Sequence, residues 1–314
     1  MSIVKPKRLK PGDVVGIISP ASSPNDPLRI ENGVKYLEKN GYRVEVGKNV
    51  DKYLGYLAGT DQERVDDLHA MFKNKDVKAI FCVRGGYGSG RLLDKIDYKI
   101  IRNNPKIFIG YSDINALQMA FFAKCGLITF AGPMVAVDFG GDEINPYTEE
   151  AFWKIITSNK KIGRLHNPNG DKFFVLNKGR AMGRLLGGNL SMITSLIGTD
   201  YLPKLKDTIL LLEEINEAPY KIDRMLNQLR MLKILKFVRA IILGDFVKCI
   251  EHDVDKKTFT LNEVIVDYLS GMKIPAIYNF RHGHLEDKLT IPLGVRAVLN
   301  ATKGFVEINE SAVT

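Results

Sequence analysis

The segment Ile107-Phe108-Ile109-Gly110-Tyr111-Ser112-Asp113-Ile114-Asn115-Ala116-Leu117 restricts the fold more than any other stretch of this chain. In it an apolar strand runs through one glycine into a serine that opens a helix. Such a turn is a nucleophile elbow. The serine hydroxyl projects clear of the sheet, and the first helical N–H groups, including that of Asp113, face charge developing on a bound carbonyl. The segment predicts acyl transfer on an α/β scaffold. Taken alone, Ser112 is at least as well explained as a helix N-cap.

The surrounding pattern supports the α/β class. Short β-rich runs at Val14–Ile18, Arg43–Val46, Ala79–Val83, Ile107–Ile109 and Leu127–Phe130 alternate with amphipathic stretches, as a parallel sheet requires. The helix Ile30–Asn40 is closed by Gly41. Thr60 and Glu63 form a capping box ahead of a helix with Val65, Leu68, Met71 and Phe72 on one face. The helix after the elbow ends near Gly126. With 314 residues, 45% hydrophobic and 26% charged, the chain is long enough for two cores. Between Ser158 and Asn177 the pattern dissolves into Lys, Asn, Gly and Pro, which places an N-terminal α/β domain at 1–158, a linker at 159–177 and a C-terminal α/β domain at 178–314. The second domain is expected to hold strands at Gly179–Leu186, Thr208–Leu212, Ala240–Leu243, Ile274–Ile277 and a final β-rich run Leu289–Leu299. Its helices fall at Leu190–Ile197, Tyr220–Leu232 and Leu261–Leu269.

Three dispersed cysteines, Cys82, Cys125 and Cys249, form no metal-ligand pattern and suit a reducing compartment. The basic N-terminus is followed by an apolar run too short for a signal peptide, and no stretch approaches a membrane span. A cytoplasmic protein without a membrane partner is expected. The net charge of +9 comes from scattered lysines with no nucleic-acid motif, so attraction of an anionic small substrate is favoured over nucleic acid.

Four clusters fall where strands end, the place open α/β sheets reserve for ligands. Arg84-Gly85-Gly86-Tyr87-Gly88-Ser89-Gly90-Arg91 lacks a Walker lysine and the dinucleotide spacing. It reads best as a loop supplying a second oxyanion-hole donor, the Gly86 N–H, beside that of Asp113. Arg84, at its start, is the candidate for binding a substrate carboxylate. Gly187-Gly188-Asn189-Leu190-Ser191 suggests close packing against the first domain. In Leu210-Leu211-Leu212-Glu213-Glu214-Ile215-Asn216-Glu217, carboxylates appear abruptly after an apolar strand, and one of them is placed to orient an imidazole. Arg281-His282-Gly283-His284 holds two of the five histidines and is the source of a general base. Zinc ligation by His282 and His284 would need a third ligand that no spacing provides. His69, His166 and His252 read as surface residues.

The motifs run in the order Ser112, Glu213, His284. Together with Gly110-Tyr111-Ser112-Asp113, Arg84-Gly85-Gly86-Tyr87-Gly88, Gly187-Gly188-Asn189-Leu190, Leu212–Tyr220 and Gly283-His284, the chain closely resembles the LD-carboxypeptidases from about Val14 to Leu299. This serine peptidase family also contains the microcin C immunity peptidase. The resemblance implies a flavodoxin-like N-terminal parallel sheet domain and a C-terminal β-rich α/β domain, usually in a homodimer. It further implies a cytosolic enzyme of murein (peptidoglycan) recycling, a muramoyltetrapeptide carboxypeptidase that removes terminal D-alanine by cutting an L,D bond. Carried over, Ser112 is the nucleophile, His284 the base and Glu213 the orienting acid, with Glu214 and Glu217 as alternatives for the acid. Gly86 and Asp113 supply the oxyanion hole. No metal or organic cofactor is needed. The rival readings are an immunity-type peptidase acting on peptidyl or aminoacyl nucleotides and a non-catalytic sensor of an anionic ligand.

Overall fold

The computed structural model describes residues 2–253 and 255–314. Its first half builds β1 (Val14–Ile18), β2 (Arg43–Val46), β3 (Val77–Cys82), β4 (Ile107–Gly110) and β5 (Thr129–Ala131), all parallel, in the spatial order β2-β1-β3-β4-β5. That is the flavodoxin-like order, whose ligand crevice opens where the connections after β1 and β3 diverge. The central strands are buried throughout, which explains why they read as continuous apolar runs. The crossovers are α1 (Leu28–Lys39), α2 (Asp61–Lys73), α3 (Tyr98–Asn103) and α4 (Asn115–Cys125); α5 (Pro146–Thr157) leads away. Thr60 and Glu63 do form a reciprocal capping box on α2, and Gly126 closes α4 in the left-handed conformation.

The second half forms an eight-stranded mixed sheet, built from β6 (Gly163–Leu165), β7 (Phe174–Asn177), β8 (Arg180–Asn189), β9 (Thr208–Ile215), β10 (Ala240–Val247) and β11 (Ala276–Tyr278), followed after β12 (Ile291–Leu293) by β13 (Arg296–Asn300) and β14 (Phe305–Ile308). Its order is β6-β14-β13-β8-β9-β10-β11-β7, with a parallel centre β8-β9-β10-β11 and antiparallel flanks. The helices are α6 (Leu190–Ser195), α7 (Pro219–Met231), α8 (Ile234–Phe237) and α9 (Leu261–Leu269). No helix among the described residues is long and apolar enough to cross a membrane.

One segment differs from the sequence reading, and a second is resolved further. The stretch 159–177, expected as a linker, contributes β6 and β7, the two edges of the second sheet. The β-rich run Leu289–Leu299 is divided between the sheets: β12 pairs antiparallel with β5 in the first, and β13 pairs with β8 in the second. Gly294, at φ +102, turns the chain between them. Pro292 has no N–H to donate and sits on a sheet edge, where the loss is tolerated.

The chain thus returns from the second lobe to complete the first. Ile291 is fully buried and opposite Ala131, so Ile291→Ala should cost about 2–4 kcal/mol. By hydrogen exchange, the variant should lose protection at the β5 amides as well as locally. Unchanged β5 protection would mean that β12 does not support that sheet.

Candidate active site

Tyr111 leaves β4 extended, and Ser112 follows at φ +63. A left-handed backbone is unusual for a residue with a Cβ and stores on the order of 1–3 kcal/mol, a strain typical of nucleophile elbows. A 3₁₀ turn from Ser112 to Ile114 leads into α4, and among the described residues the Ser112 hydroxyl caps neither helix. The N-cap explanation of this serine therefore fails.

The glycine loop after β3 lies directly on the elbow. A Cβ on Gly85 would sit 2.9 Å from Ser112 Cβ, 3.2 Å from Ser112 Oγ and 3.3 Å from Asp113 N, so only glycine permits this approach. The buried Asp113 carboxylate accepts from Gly88 N (3.2 Å) and Ser89 N (2.8 Å), while Ser89 Oγ donates to Asp113 O at 2.5 Å. Burial pushes the Asp113 carboxyl above its ordinary range against these donors. On the loop's other side, Tyr87 N donates to Ser22 Oγ (3.1 Å), tying it to the segment after β1. Gly86 turns between these anchors at φ +100. Arg84 Nη1 donates to Ser23 O (3.2 Å), and its Nε has no partner among the described residues.

In the second lobe β9 runs to Ile215, three residues beyond the expected end, so Glu213 and Glu214 lie in the strand and face opposite ways. Glu214 is consumed by structure. It accepts from Asn189 Nδ2 (2.9 Å), Ser191 N (2.8 Å), Ser191 Oγ (2.7 Å) and Ile215 N (2.9 Å), fastening the start of α6. Burial raises its carboxyl. Glu217 pairs with Lys221 (2.8 Å) at the start of α7. Glu213 Oε2 lies 2.7 Å from His284 Nδ1, the Glu213 side chain being 2% exposed and that of His284 13%.

A bulge brings these two together. Leu212 pairs with Leu243 and Glu214 with Phe246, so Gly244 and Asp245 together oppose Glu213. A Cβ on Gly244 would fall 2.3 Å from the His282 carbonyl, which instead accepts from Asp245 N at 2.9 Å. The segment after β11 thereby crosses the end of β10 and delivers His284 to Glu213. The fully buried His282 ring donates from Nδ1 to Leu289 O (2.9 Å), and burial lowers its pKa. The two histidines have separate anchors, and His282 holds the loop.

The lobes meet at this point. Asn115 Nδ2, at the start of α4, donates to Gly187 O (2.8 Å), and a Cβ on Gly188 would strike the Asn115 amide. The Tyr111 ring stands edge-on to that of His284, 5.2 Å between centroids. Ser112, the Gly85–Gly86 backbone, Asp113 and His284 are therefore carried by loops, and Glu213 by the last residues of β9, at the carboxyl edges of both parallel strand sets.

Elsewhere, His69 is half-buried and accepts from Asp97 N (3.0 Å), unlike the surface residue expected, whereas His166 and His252 are exposed. Two groups near the site escaped the sequence reading. Asp245 bore the same signal as Glu213, a carboxylate ending an apolar strand. Lys288, buried against Asp138 and Tyr111, bore none, because nothing in the sequence links positions so far apart.

A flavodoxin-like lobe with a strained serine turn is thus joined to a mixed-sheet lobe that presents a Glu–His pair. Residues 15–132 match the LD-carboxypeptidase N-terminal domain and residues 182–299 the LD-carboxypeptidase C-terminal domain. The chain belongs to the LD-carboxypeptidase family. It is 40% identical to the probable murein peptide carboxypeptidase of Bacillus subtilis (strain 168) over 299 residues, 95% of this chain and 92% of that one. It is similar also to the microcin C7 self-immunity protein MccF of Escherichia coli, 31% identical over 326 residues, 95% of this chain and 94% of that one. The structure of MccF in complex with aspartyl sulfamoyl adenosine superposes with a TM-score of 0.90 at 30% identity, covering 99% of this chain and 100% of that one. A muramoyltetrapeptide carboxypeptidase from Oxalobacter formigenes gives 0.82 at 29% identity, covering 94% and 97%.

Asp245 supplies a pH signature. Burial raises its carboxyl to about 7, opposed chiefly by Arg281, whose Nη1 lies 3.5 Å away. Because the folded-state value exceeds the unfolded one, the folded protein holds a proton that the unfolded chain releases. The resulting stability is complete below about pH 4 and is lost as pH rises through 7. Urea unfolding of the wild type and Asp245→Asn at pH 4.5, 6 and 8 should show the wild type losing up to ~3 kcal/mol more than the variant over that range. Parallel pH dependences would mean that Asp245 is already ionised at low pH.

Proposed function

We propose that this protein is a serine carboxypeptidase that releases terminal D-alanine from murein tetrapeptides by hydrolysing the L,D peptide bond, in the cytoplasmic recycling of peptidoglycan. The observation that carries the reading is the 2.7 Å contact of His284 Nδ1 with Glu213 on the loop facing the left-handed Ser112 turn. Serine is a poor nucleophile at its free pKa. With Nδ1 donating to Glu213, the other ring nitrogen of His284 takes the Ser112 proton during attack and returns it to the departing D-alanine amine. The N–H groups of Gly86 and Asp113 receive the oxyanion, a role supported by the close seating of the glycine loop on the elbow. Water then attacks the acyl-enzyme by the same exchange. Arg84, with a donor to spare beside the glycine loop, meets the terminal carboxylate. This chemistry calls on no metal, and the active form is taken to be the homodimer that the sequence resemblance implies.

Identity favours the murein assignment, 40% to the Bacillus subtilis relative against 31% to MccF. The close superposition on MccF keeps an immunity-type activity toward aminoacyl nucleotides as the second reading.

Replacement Ser112→Ala should lower kcat by ~10³-fold or more while leaving the melting temperature nearly unchanged, since triad serines act as part of a unit. Retention of more than about one per cent of the rate would exclude Ser112 as the nucleophile. Substrate class is read from a side-by-side assay of an L-Ala-D-Glu-diamino acid-D-Ala tetrapeptide, its L-Ala-terminated epimer and an aminoacyl sulfamoyl adenylate, in the presence of EDTA. Only the first should turn over rapidly. Inverting the terminal alanine exchanges its methyl and carboxylate and leaves a cation unpaired, which typically costs several kcal/mol. Preferential cleavage of the adenylate would transfer the chain to the immunity reading, and cleavage of none would favour the sensor.

A further inference from the structure

Glu213 holds the His284 ring, but both belong to the second lobe. Their bond therefore cannot set the distance from His284 to Ser112, which lies in the first. Lys288, four residues beyond His284, is 3% exposed, and its ammonium forms an ion pair with Asp138 in the turn after β5. The same Nζ lies 3.3 Å from Tyr111 Oη and 4.7 Å from the centre of the Tyr111 ring. Tyr111 directly precedes Ser112 and stands edge-on to His284. The segment between His284 and Lys288 is fastened again through the buried Thr148 of α5. Lys288 N donates to Thr148 Oγ1 (2.8 Å), and that hydroxyl donates to Glu286 O (2.5 Å).

We propose that Lys288, Asp138 and Tyr111 form a positioning clamp that sets the His284 loop of one lobe at reacting distance from the Ser112 turn of the other. A buried ion pair is a poor source of stability, because desolvation of both charges offsets their attraction and a volume-matched apolar pair often holds a fold as well. What the pair adds is direction. One ammonium meets a carboxylate, a phenol oxygen and an aromatic face, all three from the first lobe, and its backbone N–H bonds to that lobe as well. The loop is thus located in more than one direction within four residues of the base. An error of about 1 Å between nucleophile and base costs on the order of a hundredfold in rate, so a clamp this close to both acts on turnover before it acts on folding. None of the three side chains touches the reacting atoms in this scheme; they act through His284 and the Ser112 turn.

The inference rests on Ser112 and His284 being the nucleophile and base, so its test must separate the two ideas. Wild type, Ser112→Ala, Lys288→Met, Asp138→Asn, the double variant Lys288→Met/Asp138→Asn and the milder Tyr111→Phe, which keeps the ring, would be compared. The readouts are kcat and KM on the D-alanine tetrapeptide, the rate of Ser112 modification by a fluorophosphonate, and the thermal melt. Lys288→Met and Asp138→Asn should each lower kcat and the labelling rate by about ten- to a hundredfold, with KM within about twofold, and the double variant should be no slower than the worse single one. Tyr111→Phe should fall in the same direction by less, and it keeps the test open if a charge variant fails to fold. Labelling of all folded variants at the wild-type rate would overturn the clamp while leaving the serine reading intact. So would multiplicative losses in the double variant, or a loss confined to KM or the melt. A wild type that is not labelled at Ser112 would overturn both.

Discussion

The carbonyl of His282 occupies the space that a side chain at position 244 would need, and the second half of the site depends on that crossing. Without it the chain leaving β11 could not pass over the end of β10, Asp245 N would lose its acceptor, and His284 would not reach Glu213. The bulge opposite Glu213 has the same origin. Two residues against one leave a gap in the ladder, and the gap is filled by a loop instead of by a strand. On the other lobe, Gly85 plays the corresponding part by admitting the glycine loop onto the Ser112 turn. Each half of the site is a place where backbone approaches backbone or a functional side chain more closely than a Cβ allows.

That economy explains what the sequence made legible. Glycines beside a serine or a histidine at the ends of apolar runs are a one-dimensional trace of close approach, so the glycine loop after β3, Ser112 and Gly283-His284 stood out, although the sequence singles out Gly86 and not Gly85 in that loop. The parallel α/β class followed from alternating strands and helices, whereas the flavodoxin-like order was implied by the resemblance to the LD-carboxypeptidases. Choosing among Glu213, Glu214 and Glu217 required knowing where β9 ends, and a pattern of apolar residues fades before a strand does when its last residues are paired carboxylates. Only the partners separate the three: a histidine for Glu213, three donors around the start of α6 and the Ile215 N–H for Glu214, and Lys221 for Glu217.

The failures have a common cause as well. Segment 159–177 looks like a linker because edge strands need few apolar residues, yet it closes both edges of the second sheet. Leu289–Leu299 reads only as a β-rich run because both of its parts are apolar. The sequence records that they are buried but not which sheet buries them. Lys288 and Asp138 carry the ordinary appearance of surface charges, and only the return of β12 to the first lobe encloses them.

Three carboxylates converge where β9 and β10 end, and their different surroundings give them different work. Glu214 is surrounded by fixed donors that oppose the burial raising its pKa, so it serves as a structural acceptor. Asp245 has a guanidinium at 3.5 Å and Oδ2 without a partner among the described residues, so burial prevails and its carboxyl rises to about 7. Glu213, between them, faces an imidazole that can itself become a cation. A carboxylate with fixed donors has little to gain from a neighbour that changes charge, whereas one whose principal partner is a histidine gains most when that histidine is protonated. In acyl transfer the imidazolium exists only while the serine proton is in transit. In the serine mechanism proposed above, Glu213 is, of the three, the one whose interaction strengthens at that moment, which is what stabilising a transition state over a ground state requires.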